Sequence, residues 1–237
     1  MSPSLANPAI SRPPVSERET LAVGGLAPFT TIDFPGRLAA VVFCQGCPWR
    51  CGYCHNPHLL PARGEARAWP EVAAWLETRR GLLDGVVFSG GEPLLQRGLA
   101  AALADARALG FATALHTAGV YPRRLAAVLP LLDWVGFDVK APFGDYARIT
   151  GADDGGAARE ALSLLLASGV AHEVRCTVPE DLLGADDMAR LAGQLADLGV
   201  SRLVLQTCRA DGRAAAPLPE PLRRAAADFV ACVELRH

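Results

Sequence analysis

Four of the seven cysteines in this chain of 237 residues, Cys44, Cys47, Cys51 and Cys54, fall inside the stretch CQGCPWRCGYCHNP, residues 44 to 57. Thiols crowded at that density can pair as disulfides, fold round a zinc ion or hold an iron–sulfur cluster. An odd number of cysteines fits full pairing poorly. The first residues lack the basic start and apolar run of a secretory leader, so a cytoplasmic location is expected, where thiols stay reduced. All four cysteines, read as two C-x2-C pairs, could form a zinc knuckle, although three residues between the pairs is cramped for such a site. The spacing Cys47-x3-Cys51-x2-Cys54 instead offers three thiolates on one short loop, enough for three corners of a [4Fe–4S] cubane with the fourth iron open to a ligand. In that reading Cys44 is a core cysteine, because free cysteine buries readily. Tyr53, beside Cys54, has a flat ring that could cover a cluster or an adenine base.

Two further features could belong to the same chemistry. The stretch FSGGEP (88–93) ends an apolar run. Its adjacent Gly90 and Gly91 would let the polar groups of another molecule approach the backbone, with Glu92 exposed after them. Taken alone, such a pair is most often a plain turn between strand and helix. Of the 23 basic residues, 22 are arginine and the one lysine is Lys140. A compact ammonium in a chain that otherwise uses guanidinium suggests a position where the larger fork does not fit.

The elements that must position these residues repeat one theme, a short β-rich run, a turn, and an amphipathic helix closed by glycine. The runs LAAVVF (38–43), DGVVFS (84–89), FATALHT (111–117), DWVGFDVK (133–140), EVRCTV (173–178) and RLVLQ (202–206) read as strands. Helices are expected from Pro70 to Gly81, through Leu99, Leu103 and Ala106 to Gly110, and from Pro122 to about Leu129. Leu162, Leu165 and Leu166 mark another, ending at Gly169, and Met188, Leu191, Leu195 and Leu198 one more, ending at Gly199. A last helix is expected from about Pro219 towards Val233. Six strands alternating with helices indicate a parallel sheet with right-handed crossovers.

Alternation within the strands selects between a doubly wound sheet and a barrel. Val135, Phe137 and Val139 share one face of their strand, Asp138 and Lys140 the other. Val174, Cys176 and Val178 oppose Glu173, Arg175 and Thr177, and Leu203 and Leu205 oppose Gln206. Polar residues thus gather on one face near the C-terminal strand ends, where barrel folds build their sites. The predicted fold is α/β, a partial (βα)6 TIM-like barrel of parallel strands, open on one side. Residues 1–20, with four prolines and no apolar run, are expected to be a disordered arm, and residues 21–237 one domain.

The bulk numbers exclude some partners. A net charge of −2 and a pI near 6.2 give no reason to expect nucleic acid or an anionic membrane surface. No stretch approaches the roughly 18 uninterrupted apolar residues of a membrane span.

With the cysteine loop after the first strand and GGEP after the next, the chain resembles the radical S-adenosylmethionine enzymes. Within that superfamily, TIDFPGRLAAVVFCQGCPWRCGYCHNP, LLDGVVFSGGEPLLQ, GFATALHTAG, WVGFDVKAP, EVRCTV and LVLQ are similar to the activating proteins of anaerobic ribonucleoside-triphosphate reductase, over about residues 28–210. The resemblance implies a [4Fe–4S] cluster on Cys47, Cys51 and Cys54 and S-adenosylmethionine as cofactor. It implies that Gly90, Gly91, Glu92 and Pro93 bind the cofactor's amino group, and that Asp138 and Lys140 lie near its ribose and carboxylate. His55 and Asn56 would touch adenine, unless they only shape the turn before Pro57, and Tyr53 would bind the cofactor by covering the cluster or the adenine. Arg175 would pair with the cofactor's carboxylate or with Glu173 on its own face.

HTAG (116–119) departs from the D-T-N-G of related activases, so His116 either hydrogen-bonds cofactor or substrate or is a satisfied core histidine. The implied reaction is reductive cleavage of S-adenosylmethionine to methionine and a 5′-deoxyadenosyl radical. That radical would take the Cα hydrogen of a glycine on the partner reductase. A low-potential donor such as flavodoxin or ferredoxin would supply the electron. Alternatives are a radical enzyme for another glycyl-radical protein or a small molecule, and a zinc-stabilised interaction module without catalysis. Cys176, Cys208 and Cys232 are too dispersed for a second cluster motif, and of these only Cys208 would approach the mouth.

Overall fold

The computed structural model describes residues 20–64, 66–151, 155–179, 181–208 and 217–236. Most of the expected N-terminal arm, residues 1–19, lies outside them. One sheet of nine strands carries the molecule, in the order β3-β1-β2-β4-β5-β6-β7-β8-β9. The strands are β1 (Ala22–Thr30), β2 (Ala39–Cys44), β3 (Arg67–Ala68), β4 (Gly85–Gly90), β5 (Ala112–Thr117), β6 (Trp134–Asp138), β7 (His172–Val178), β8 (Arg202–Thr207) and β9 (Cys232–Arg236). From β2 through β9 every neighbouring pair is parallel, whereas β1 pairs antiparallel with β2 and with the short β3. The sheet does not close, and β3 and β9 are its two edges.

The six expected strands are all present, and the structure adds three. In place of a helix running to Val233, the last helix spans Glu220–Ala227 and the chain then turns into β9. The other helices are α1 (Trp69–Glu77), α2 (Leu99–Ala108), α3 (Pro122–Val128), α4 (Tyr146–Thr150), α5 (Gly156–Ser168) and α6 (Ala185–Asp197), which makes Glu220–Ala227 α7.

Side-chain alternation divides the sheet into two faces. One large core joins Val135, Phe137, Val174, Cys176, Leu203 and Leu205 to helix residues such as Leu76, Leu103, Leu125, Leu162, Leu191 and Leu222. The opposite face holds a separate small core of Phe34, Ala39, Val41, Val87, Ala114 and Trp134, to which no helix contributes. Among the described residues helices pack on one face, and the other becomes the interior of an open barrel. The loop between β1 and β2 supplies its lower filling, where the Phe34 ring stacks on Trp134 with centroids 6.2 Å apart. Burying a side chain of that size stabilises by about 1.5–3 kcal/mol. Above it, the inner face of β6 to β9 is floored by ion pairs. Arg236 holds Glu173 at 2.7 and 2.9 Å, and Arg202 holds Glu234 at 2.9 and 2.6 Å.

Candidate active site at the mouth of the sheet

The cysteine loop leaves β2 at the C-terminal end of the parallel strands, and its stem is held by main-chain bonds on both sides. The amides of Gly46 and Cys47 donate to the carbonyls of Leu59 and Leu60, at 2.7 and 3.2 Å. Those of Arg50 and Gly52 donate to Thr150 and Ile149 of α4, at 2.8 and 3.4 Å. Trp49 packs edge-on against Tyr146 with centroids 5.5 Å apart, and the Arg50 guanidinium caps the carbonyls of Cys47 and Trp49 at 2.8 and 2.9 Å. So fixed, Cys47, Cys51 and Cys54 line a cavity of about 160 Å³.

Cys44 does not reach that cavity. It is fully buried in the helix-side core, opposite Gly90 in the β2–β4 register. A four-cysteine zinc knuckle therefore lacks its fourth ligand. Among the described residues, no group of three or more histidine, cysteine or acidic side chains gathers as the ligands of one metal ion would. The ligands of a cubane bind different irons and have no need to gather on a single point. Burial pushes the Cys47 thiol up to about 11 and raises Cys51 too, against the opposing charge of Lys140. Thiols held protonated in this way are poor nucleophiles at neutral pH, and a bound cation is what would deprotonate them.

The glycines of GGEP have a packing role of their own. Gly90 has φ +113°, and a Cβ there would lie 2.4 Å from the Cys44 nitrogen; on Gly91 it would lie 2.2 Å from the Gly46 oxygen. The missing side chains let the end of β4 press against the root of the cysteine loop. The Gly91 and Glu92 amides bond there to the Cys44 and Gly46 carbonyls at 3.0 and 2.9 Å.

Glu92, expected to be exposed, is buried at 2 % exposure. Its Oε1 accepts from the Leu94 amide at 3.0 Å and the Thr117 hydroxyl at 2.7 Å, and its Oε2 from the Ala118 amide at 3.0 Å. Burial raises its pKa even against those three donors. The carboxylate thus braces the GGEP turn against the exit of β5. Gly90, Gly91 and Glu92 line the cavity, whereas Pro93 is buried at the start of a short 3-10 turn.

Lys140 reaches the cavity from beyond β6. Its ammonium lies 3.6 Å from an Asp138 carboxylate oxygen and 6.0 Å from the centre of the Tyr53 ring. Burial opposes the charge, but Asp138 and neighbouring groups outweigh it and raise the pKa. The other Asp138 oxygen accepts from Arg175 Nε at 2.8 Å. Burial alone would raise the Asp138 pKa, yet Arg175 and Lys140 hold it down to about 2. The Arg175 guanidinium lies over Gly136, where a Cβ would meet its Cζ at 2.7 Å. Of the two expected partners of Arg175, Glu173 is taken by Arg236, and the partner found within the chain is Asp138.

His116 is not among the residues lining the cavity. Its Nε2 lies 2.9 Å from the Asp33 carbonyl, and its ring meets Trp134 edge-on at 5.6 Å. A carbonyl only accepts, so Nε2 carries the proton in that bond. Burial, and then the nearby Arg175 charge, hold the His116 pKa down to about 4, so the imidazole is neutral. Tyr53, His55 and Asn56 border the cavity. Thr177, from the polar face of its strand, borders it too, as do Ala118 and Trp49, which carry no local signal of a site in the sequence. Cys176 is core, Cys208 does not line the cavity, and Cys232 lies exposed on β9.

Comparison with known proteins gives this geometry a context. The family profile described as the radical SAM superfamily matches residues 41–182. A protein of Methanocaldococcus jannaschii, provisionally named a glycyl-radical enzyme activating enzyme, is 28 % identical over 183 residues, covering 74 % of this chain and 75 % of that one. The pyruvate formate-lyase-activating enzyme of Clostridium pasteurianum is 39 % identical over 127 residues, or 51 % of this chain; the match spans about half of that relative, 53 %. Among solved structures, QueE from Escherichia coli shares the fold with a TM-score of 0.58 at 16 % identity, covering 93 % of this chain and 98 % of that one.

Proposed function

The chain belongs to the radical SAM superfamily, and from that premise we propose that it is a glycyl-radical-enzyme activating enzyme whose substrate is an anaerobic (class III) ribonucleoside-triphosphate reductase. The superfamily's cofactors, a [4Fe–4S] cluster and S-adenosylmethionine, supply when bound a one-electron cleavage of the sulfonium that ends in abstraction of a hydrogen atom from the substrate. The observation that carries the reading is the convergence of the cysteine loop, the GGEP turn and Lys140, far apart in sequence, on one cavity at the mouth of the sheet.

In this reading Cys47, Cys51 and Cys54 hold the cluster, and three ligands rather than four leave one position for the cofactor. Tyr53 and His55 border adenine. Because the Glu92 carboxylate is occupied internally, the GGEP turn of Gly90, Gly91, Glu92 and Pro93 meets the cofactor's amino group through its backbone. Lys140 offers its ammonium to the cofactor's carboxylate, and Asp138, clamped by Arg175, fixes where that ammonium sits. His116 acts from below by holding the Asp33 loop rather than by touching the cofactor.

The choice of a protein substrate rests on the activase-like stretches of the sequence and on the names of the relatives. An open side between the edge strands suits a polypeptide loop. The Clostridium relative favours a second reading, in which the target is another glycyl-radical protein such as pyruvate formate-lyase. A cytoplasmic location is part of this reading; among the described residues no helix is long and apolar enough to cross a membrane. The test is electron paramagnetic resonance on anaerobically reconstituted protein with reductant, S-adenosylmethionine and each candidate partner in turn. A glycyl-radical doublet with the reductase is the expected result. A doublet with pyruvate formate-lyase alone would move the partner, and 5′-deoxyadenosine without any doublet would move the substrate to a small molecule.

A further inference from the structure

Lys140 stands just past the end of β6, where the sheet stops fixing the chain. The β5–β6 register ends at Thr117 opposite Phe137, and the β6–β7 register at Asp138 opposite Arg175. Beyond them the Val139 amide still reaches the Arg175 carbonyl at 2.8 Å. The Lys140 amide donates instead to a side chain, the Tyr146 hydroxyl of α4, at 3.1 Å. An ammonium on a flexible four-carbon stem is placed only as well as the main chain that carries it. Asp138 restrains the head of Lys140, and Tyr146 restrains its root.

The same tyrosine also holds the cysteine loop. It is fully buried, with its ring edge-on to Trp49 at 5.5 Å and stacked on Phe143 at 6.0 Å. Gly155 faces that ring closely, and a Cβ there would lie 2.7 Å from Tyr146 Cδ2. The Tyr146 carbonyl accepts from the Thr150 hydroxyl at 2.8 Å. At the end of the same helix, the Ile149 and Thr150 carbonyls take the Gly52 and Arg50 amides. Trp49 and Lys140 both line the cavity. Tyr146 therefore touches two parts of its wall that are far apart in sequence, Trp49 with its ring and Lys140 with its hydroxyl. Burial strengthens the second contact, because a hydrogen bond away from water is electrostatically stronger.

We propose that Tyr146 is a positioning residue: it sets the spacing between the cysteine loop and Lys140, and with it the strength of the grip on the cofactor's carboxylate. The inference rests on the pairing of Lys140 with that carboxylate in the proposed function. The ring and the hydroxyl of Tyr146 have separable tasks. The ring packs α4 against Trp49 and Phe143, while the hydroxyl serves the Lys140 amide. Phenylalanine keeps the first and removes the second.

The test is equilibrium dialysis of S-adenosylmethionine against the full, cluster-loaded protein, kept oxidised so that nothing is cleaved. Iron content and melting temperature are measured on the same samples. Tyr146→Phe should keep its iron and raise the Kd about fivefold, the loss that one net hydrogen bond carries. Lys140→Ala should weaken binding more. Adding Tyr146→Phe to it should change the Kd less than about twofold, because nothing is left to position. Gln194→Leu removes the acceptor that holds the Phe143 amide at 2.9 Å and so loosens the same segment from α6. It should lower the melting temperature and leave the Kd as it is. Unchanged affinity in Tyr146→Phe, the same fivefold loss in both backgrounds, or an equal loss in Gln194→Leu would overturn the inference. So would loss of iron from Tyr146→Phe, since the hydroxyl would then serve the cysteine loop. If Lys140→Ala alone binds as tightly as wild type, the role of Lys140 in the proposed function fails first, and the inference falls with it.

Discussion

Glu92 shows how far a residue's role can depart from its exposure as read in sequence. A carboxylate after two glycines looks free to meet a ligand, yet its oxygens are used by Leu94, Thr117 and Ala118. Glu92→Gln keeps the shape but turns one acceptor into a donor facing a donor. It should cost about 1–3 kcal/mol in urea unfolding, the usual penalty for an unsatisfied buried group. His116 gives a second residue-scale expectation. Its pKa is about 4 when folded against an ordinary 6.5, so between those values the unfolded chain binds a proton that the folded one refuses. Stability from this source falls as pH drops through that window and is level above it. Between pH 7 and pH 5 the wild-type protein should lose about 1–2 kcal/mol more than His116→Asn. Equal losses would remove the neutral imidazole from the account. No local signal in the sequence could have found its Asp33 partner, which lies 83 positions away.

At the scale of elements, the six expected strands and their polar and apolar faces were legible because alternation and helix punctuation are local properties. The missing strands are those whose residues argue against them. Gly24, Gly25 and Pro28 are poor strand formers, and β1 exists because β2 offers it a partner. The segment after Ala227 continues an apolar spacing that suits a helix, but the open edge of β8 captures Cys232–Arg236 as a parallel strand. The GG turn was legible as a turn, whereas its purpose depends on which backbone lies opposite. Gly91→Ala would place a methyl 2.2 Å from the Gly46 oxygen, a contact that one of the two chains must give up. Because Gly46 begins the cysteine loop, this variant should bind iron weakly, with lower absorbance near 400 nm after reconstitution, even where circular dichroism shows the sheet intact. Gly144→Ala, open on that side, should load iron like the wild-type protein.

For the molecule as a whole, the open sheet separates two regions in space. The strand ends gather the cysteine loop, the GGEP turn and Lys140 round one cavity, and in the proposed function the open side leaves room for a substrate. The central claim is that Cys47, Cys51 and Cys54, and not Cys44, hold a cluster that cleaves S-adenosylmethionine. The most direct measurement is iron content and 5′-deoxyadenosine formation, after anaerobic reconstitution and photoreduction, in Cys51→Ala and Cys44→Ala compared with wild type. The account predicts that Cys51→Ala loses the cluster and all product, while Cys44→Ala, though less stable by about 1 kcal/mol for its small core cavity, keeps both. Loss of both in Cys44→Ala with its fold intact, or product from Cys51→Ala, would contradict it.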